Sequence, residues 1–207
     1  MRHTLALALL LLALALVTTI AVSGCISNMQ ASPYAGATAG QRLYDAANAS
    51  YWKYGVVMTA GGTNSTWNMT VNSSRDASGE GHMVIVTLGN GLNETYDVGW
   101  NTSTYQVDSM HAMGWIGDRY QERNVSPLQI QTLPDTGLIY YFVPFQYAGN
   151  VTVRDVNGRA AALGVFTAAD TSGFRVTYWV HPSIPVPVKI EMSDKDFDIT
   201  MMLIDYR

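Results

Sequence analysis

The chain has 207 residues, enough for one domain and too few for two of ordinary size. Apolar residues make up 48%, a figure inflated by the first 24 positions, while charged residues are only 14%, below the roughly 25% of a typical soluble domain. The 12 basic and 16 acidic side chains, net −4, argue against a phosphate-tracking surface and hence against nucleic acid, and the single Cys excludes an internal disulfide and any CxxC zinc or redox site.

Residues 1–24 predict an export signal. Arg2 and His3 precede an uncharged apolar run from Leu5 to Val22, and the small residues Ser23 and Gly24 lead to Cys25. The stretch Val22-Ser23-Gly24-Cys25 resembles the lipobox of bacterial and archaeal lipoproteins. That resemblance implies cleavage before Cys25, a lipid on its thiol, and membrane lipid as a partner through that anchor. Two acyl-length chains hold a protein stably to a bilayer, because each buried methylene contributes about 0.8 kcal/mol. Two other readings stay open: an uncleaved transmembrane anchor, since the run sits at the lower length limit for spanning, and an ordinary secretory signal. Residues 25–37 are small and polar and predict a tether.

A helix is expected over 38–50. Thr38 and Gln41 have capping-box spacing, and Leu43, Ala46 and Ala47 fall on one face. From Tyr51 onward the period becomes two. Trp52, Tyr54, Val56 and Met58 form one set, as do Trp67, Met69 and Val71, with Asn68, Thr70 and Asn72 on the opposite side. Further strands are expected at 81–88, 94–101, 104–111 and 138–147. Val151–Val156 and Arg159–Phe166 flank Asn157-Gly158, a strong hairpin signal. Phe174, Val176, Tyr178 and Val180 alternate with Arg175, Thr177, Trp179 and His181, and two more alternating runs follow from Val186 and from Phe197. Segment 112–137, with Ser126-Pro127 and Pro134-Asp135, is expected to act as a lid.

The expected fold is therefore mainly β, α+β in class. An N-terminal helix is followed by roughly ten antiparallel strands in sequential order, forming one large curved sheet or half barrel over 38–207. This order resembles the LolA-like family of lipoprotein-sorting and lipid-binding proteins. The stretch Tyr178-Trp179-Val180-His181-Pro182-Ser183-Ile184-Pro185-Val186-Pro187-Val188-Lys189-Ile190 adds to it, being similar to that family's strand, short polar turn and next strand. The resemblance implies an incomplete barrel with a helical lid over a hydrophobic cavity, and a lipid-like ligand.

Asparagines opening an N-x-[ST] sequon are the second strong signal. Eight of the 11 Asn do so: Asn48, Asn64, Asn68, Asn72, Asn93, Asn101, Asn124 and Asn150. Chance would give about two at this Ser and Thr content. The excess predicts a glycosylated extracellular surface, the alternative being a β protein rich in Ser, Thr and Asn by composition. Combined with the lipobox, it points to an archaeal cell surface.

No catalytic constellation emerges and no cofactor is implied. Met110-His111-Ala112-Met113 has soft ligands for copper, and Asp194, Asp196 and Asp198 have oxygens for calcium. Both read better as ordinary strand-end and turn residues, so no metal is expected. Trp52, Trp67 and Trp179 are the candidate ligand-binding residues, on the expectation that they share the concave face. The resulting expectation is a non-enzymatic lipoprotein on the extracellular face of the cell membrane, carrying an apolar ligand. The alternative is a structural or interaction glycoprotein of the cell envelope with a filled core. An enzymatic reading would need His111 and His181 to converge with a carboxylate.

Overall fold

The structure is a computed structural model and describes residues 43–103, 107–125, 145–154, 160–169 and 173–207. Among them the fold is almost entirely antiparallel β. The strands are β1 (Tyr51–Ala60), β2 (Thr63–Arg75), β3 (Glu80–Gly89), β4 (Leu92–Asn101), β5 (Val107–Ile116), β6 (Arg119–Asn124), β7 (Gln146–Arg154), β8 (Ala160–Ala169), β9 (Arg175–Val180), β10 (Lys189–Ser193) and β11 (Phe197–Tyr206). All eleven belong to one sheet in the order β6-β5-β4-β3-β2-β1-β11-β10-β9-β8-β7. Among the described strands the sheet does not close, and β6 and β7 are its two edges.

The expected sequential meander needs one correction. Consecutive strands are neighbours everywhere except between β6 and β7, which lie at opposite edges, while the first and last strands pair at the centre. Arg207 reinforces this central seam, since its backbone N–H donates to Tyr51 O and its carbonyl accepts from Ser50 N.

The turns explain the long hairpins on one side. Gly61-Gly62, Asn90-Gly91 and Gly117-Asp118 are two-residue connections, and Asn90 is the one non-glycine residue of positive φ among the described residues. Two-residue loops of this backbone hand match the natural twist of the flanking strands.

Three other expectations change. The helix over 38–50 is not found in its described part: residues 43–50 contain only a single 3-10 turn, Ala46–Asn48, followed by Ala49 in extended geometry. The chain leaves the turn because Ser50 and Tyr51 are drawn into the central seam. Residues 38–42 lie outside the described residues. The lid assigned to 112–137 contains strand instead, as β5 runs through Ile116 and β6 occupies 119–124; residues 126–137 lie outside the described residues. The strand placed at 138–147 falls mostly outside them, with β7 beginning at Gln146. The Asn157-Gly158 turn also lies outside, although β7 and β8 pair as that hairpin requires. Cys25, the apolar leader and the tether are outside them as well.

Candidate functional site on the buried face

Strand alternation sorts the sheet into a buried face and an outer face. Directly paired residues point the same way, so the register can be followed across strands. One rung runs through seven of them: Trp67, Val56, Met201, Ile190, Tyr178, Phe166 and Tyr147. A second crosses the other half of the sheet through Trp52, Val71, Ile85, Tyr96 and Ala112. All of these side chains are buried except Tyr147, which is half-buried. Each fully buried large apolar side chain contributes about 1.5–3 kcal/mol. The face is thus the main source of stability as well as the candidate site.

Between these two rungs lies a mixed one: Tyr54, Met69, Thr87, Glu94 and Gly114. Tyr54 Oη donates to the Pro187 carbonyl at 2.6 Å. Burial, with the neighbouring Tyr178 as a smaller influence, raises the Tyr54 pKa well above its ordinary value. Glu94 is only 7% exposed, and its Oε2 accepts from Tyr96 Oη at 2.7 Å. A buried carboxylate favours hydrogen-bonded company over apolar surroundings, and Tyr96 supplies it from two positions along the same strand. Gly114 is required opposite Glu94. Its φ is +153°, and a Cβ there would lie 2.1 Å from Asn93 O and 2.6 Å from Glu94 Cα. At the far end of β3, a Cβ on Gly81 would overlap the Trp100 indole, which lies against it.

The three tryptophans expected to line one pocket separate by face. Trp52, fully buried, and Trp67, 6% exposed, lie on the buried face. Trp179 does not join them. It pairs with Lys189 and Val165 on the outer face, and the Lys189 ammonium stands 4.5 Å from its ring centroid. Lys189 is also ion-paired with Glu191. The grouping fails because Trp179 is out of phase with Tyr178 and Val180, whose side chains are the buried ones. The indole Nε1 groups of Trp52 and Trp67 are buried without a hydrogen-bond acceptor among the described residues. A buried donor left unpaired costs about 1–3 kcal/mol.

None of the eight sequon asparagines is buried. Asn64, Asn68, Asn72, Asn93, Asn124, Asn150 and Asn48 are exposed, and Asn101 is half-exposed. Asn68 and Asn72 on β2, Asn93 and Asn101 on β4, and Asn124 on β6 share the outer face. Asn48 sits in the 3-10 turn, where its Nδ2 donates to Asp45 Oδ2 at 2.9 Å.

The soft-ligand run does not converge. Met110 is buried, whereas His111 faces the other way, with Nε2 3.3 Å from Glu122 Oε1. The aspartate run forms a turn in which Asp194 Oδ1 accepts from Lys195 N and Asp196 faces the Lys195 ammonium at 3.9 Å. Among the described residues no three His, Cys, Asp or Glu gather in a metal-binding group. His181 accepts from Ser183 N through Nδ1 at 3.2 Å, and among the described residues no carboxylate joins it to His111. A pair not anticipated from sequence, His82 Nε2 and Asp97 Oδ1 at 2.6 Å, also lies on the outer face. Glu94 was missed too, although its parity with Tyr96, Val98 and Trp100 was readable.

No protein-family model matches the chain, and no curated protein matches it either. Solved structures resemble it at low identity. MucB is 12% identical at a TM-score of 0.43, covering 79% of this chain and 54% of MucB. A LolA superfamily protein from Nitrosomonas europaea is 10% identical at a TM-score of 0.37, covering 80% and 88%. The Mycobacterium tuberculosis lipoprotein LppX is 10% identical at a TM-score of 0.36, covering 77% and 87%. The functional reading rests on this chain's own residues.

Proposed function

We propose that the chain is a membrane-anchored extracytoplasmic lipoprotein that binds a lipid-like ligand along the buried face of its sheet, without catalysis. The observation that carries this reading is the seven-strand rung from Trp67 to Tyr147 on a single open sheet. A sandwich buries such a face against a second sheet. Here all eleven described strands belong to one sheet, and a sheet that wide twists and curls around whatever its apolar side encloses. An apolar, aromatic-rich face with few polar groups suits a lipid chain.

Anchoring is proposed through Cys25, with the outer-face sequons Asn64, Asn68, Asn72, Asn93, Asn101 and Asn124 carrying glycans on the side away from the ligand. The tether of residues 25–37 would hold the domain off the bilayer. Cys25→Ser is expected to move the chain from the membrane fraction to the soluble fraction; retention in the membrane would refute the thiol anchor.

The second reading, an envelope glycoprotein with a filled core, has its own support. The Tyr44 and Phe145 rings rest on Tyr178 at centroid distances of 6.1 and 5.0 Å, so part of the face is filled by the chain itself. Native mass spectrometry separates the two readings. Delipidated, refolded protein mixed with vesicles of diacyl and dialkyl-ether lipids is expected to retain a bound lipid. Absence of any lipid adduct would favour the filled core.

A further inference from the structure

The polar groups of the buried face divide into a satisfied set and an unsatisfied one. Tyr54 Oη reaches the Pro187 carbonyl, Tyr96 Oη reaches Glu94, and Thr87 Oγ1 lies 3.4 Å from the Glu94 carbonyl. Trp52 Nε1 and Trp67 Nε1 meet no acceptor among the described residues, although both are withdrawn from solvent. An indole N–H can only donate. A pure hydrocarbon would leave both groups unpaired, and so would a cationic head, which brings donors of its own. An oxygen-bearing chain would satisfy them.

Register fixes their spacing. Trp67 pairs with Val56, four residues along β1 from Trp52. Four residues of strand rise and one inter-strand step place the two Cα atoms about 14 Å apart. They therefore engage separate oxygens rather than one.

Building on the lipid-binding reading, we propose that Trp52 and Trp67 are the polar specificity determinants of the buried face. Their indole N–H groups donate to acceptor oxygens of a bound amphiphile, so the face selects oxygen-bearing lipids over hydrocarbons of the same length. The bulk of each indole supplies apolar contact to either kind of ligand, and the N–H supplies the discrimination.

The test compares dimethyl tetradecanedioate, whose two ester groups are separated by twelve methylenes, with octadecane, two uncharged ligands of similar length, on the delipidated full chain. Wild type is expected to prefer the diester. Trp52→Phe and Trp67→Phe keep an aromatic ring and remove the N–H, and each is expected to reduce that preference about 5-fold while leaving octadecane uptake unchanged. Should a variant fail to fold, the wild-type protein with 15N-labelled tryptophan gives a second measurement. Two indole N–H resonances are expected to move on adding the diester and to stay in place with octadecane. The inference is overturned if the Phe variants keep the wild-type preference, if they lose both ligands equally, or if both ligands move the resonances alike. Uptake of neither ligand by the wild type would overturn the lipid-binding reading itself, and this inference with it.

Discussion

The two halves of the sheet share a buried face and differ on the outer one. On the outgoing half, β1 to β6, tight two-residue turns join long strands, and the outer face carries Asn68, Thr70, Asn72, Asn93, His82 and Asp97. On the returning half the strands are shorter, and the proline-bearing segment 181–188 separates β9 from β10. There the outer face carries Trp179 and Met202, with Ile204 nearby at 58% exposure, much as Val57, Leu88 and Trp115 are exposed on the outgoing half; the difference lies in the sequons, since the returning half has only Asn150, on the edge strand β7. Core-forming alternation is thus common to both halves, whereas outer-face chemistry is local. Burial rewards any apolar residue of suitable size, while the wet face is free to specialise.

This contrast breaks most visibly at β11, where adjacent residues serve opposite faces. Met201→Ala removes a buried link in the rung that ties the two halves together, with an expected loss of about 2–5 kcal/mol in a denaturant melt. Loss of less than half a kcal/mol would mean that the rung is not a packed unit.

The next effect is at Tyr54, on the central strand β1. Tyr54→Phe leaves the buried Pro187 carbonyl without its donor and is expected to cost about 1–3 kcal/mol. The same hydroxyl makes stability pH-dependent. Its folded-state pKa lies above the unfolded value near 10, so the contribution is complete below pH 10 and is lost as the pH rises from there through the folded-state pKa. The Phe variant should show a shallower alkaline decline in melting temperature than the wild type, and an unchanged slope would contradict the assignment. The smallest change is expected from Met202→Ala. This side chain is 48% exposed on the outer face, and its removal should shift stability by no more than about 0.5 kcal/mol.

Alternation made most of the buried face legible. Trp52, Tyr54 and Val56, then Trp67, Met69 and Val71, then Val176, Tyr178 and Val180 all fall on the side their period-two spacing assigns. The same rule had already set Trp179 opposite Tyr178, and grouping it with the pocket followed its aromatic character instead of its parity. Strand β6 escaped notice because Arg-Tyr-Gln-Glu-Arg-Asn is exposed throughout, and an edge strand polar on both faces has no hydrophobic period to read. Asn90-Gly91 carries the same turn chemistry as Asn157-Gly158 and could have located the β3–β4 hairpin directly. The helix expected at 38–50 rested on the capping-box spacing of Thr38 and Gln41 and on the single face of Leu43, Ala46 and Ala47, local signals that the pairing of Ser50 and Tyr51 with the C-terminus overrides in the described part. The missing acceptors of the Trp52 and Trp67 indoles had no sequence signal, since they depend on which side chains meet across several strands.

The central claim is that lipid occupies the buried face. Quenching of tryptophan emission by a lipid brominated along its acyl chain tests it most directly, because quenching needs near contact. In a chain carrying Trp115→Phe and Trp179→Phe, the remaining emission comes from Trp52, Trp67 and Trp100, all buried. The account predicts that saturating bromolipid extinguishes most of that emission. If it stayed bright while the wild type dimmed only through Trp115 and Trp179, lipid would be touching the outer surface alone, and the account would be contradicted.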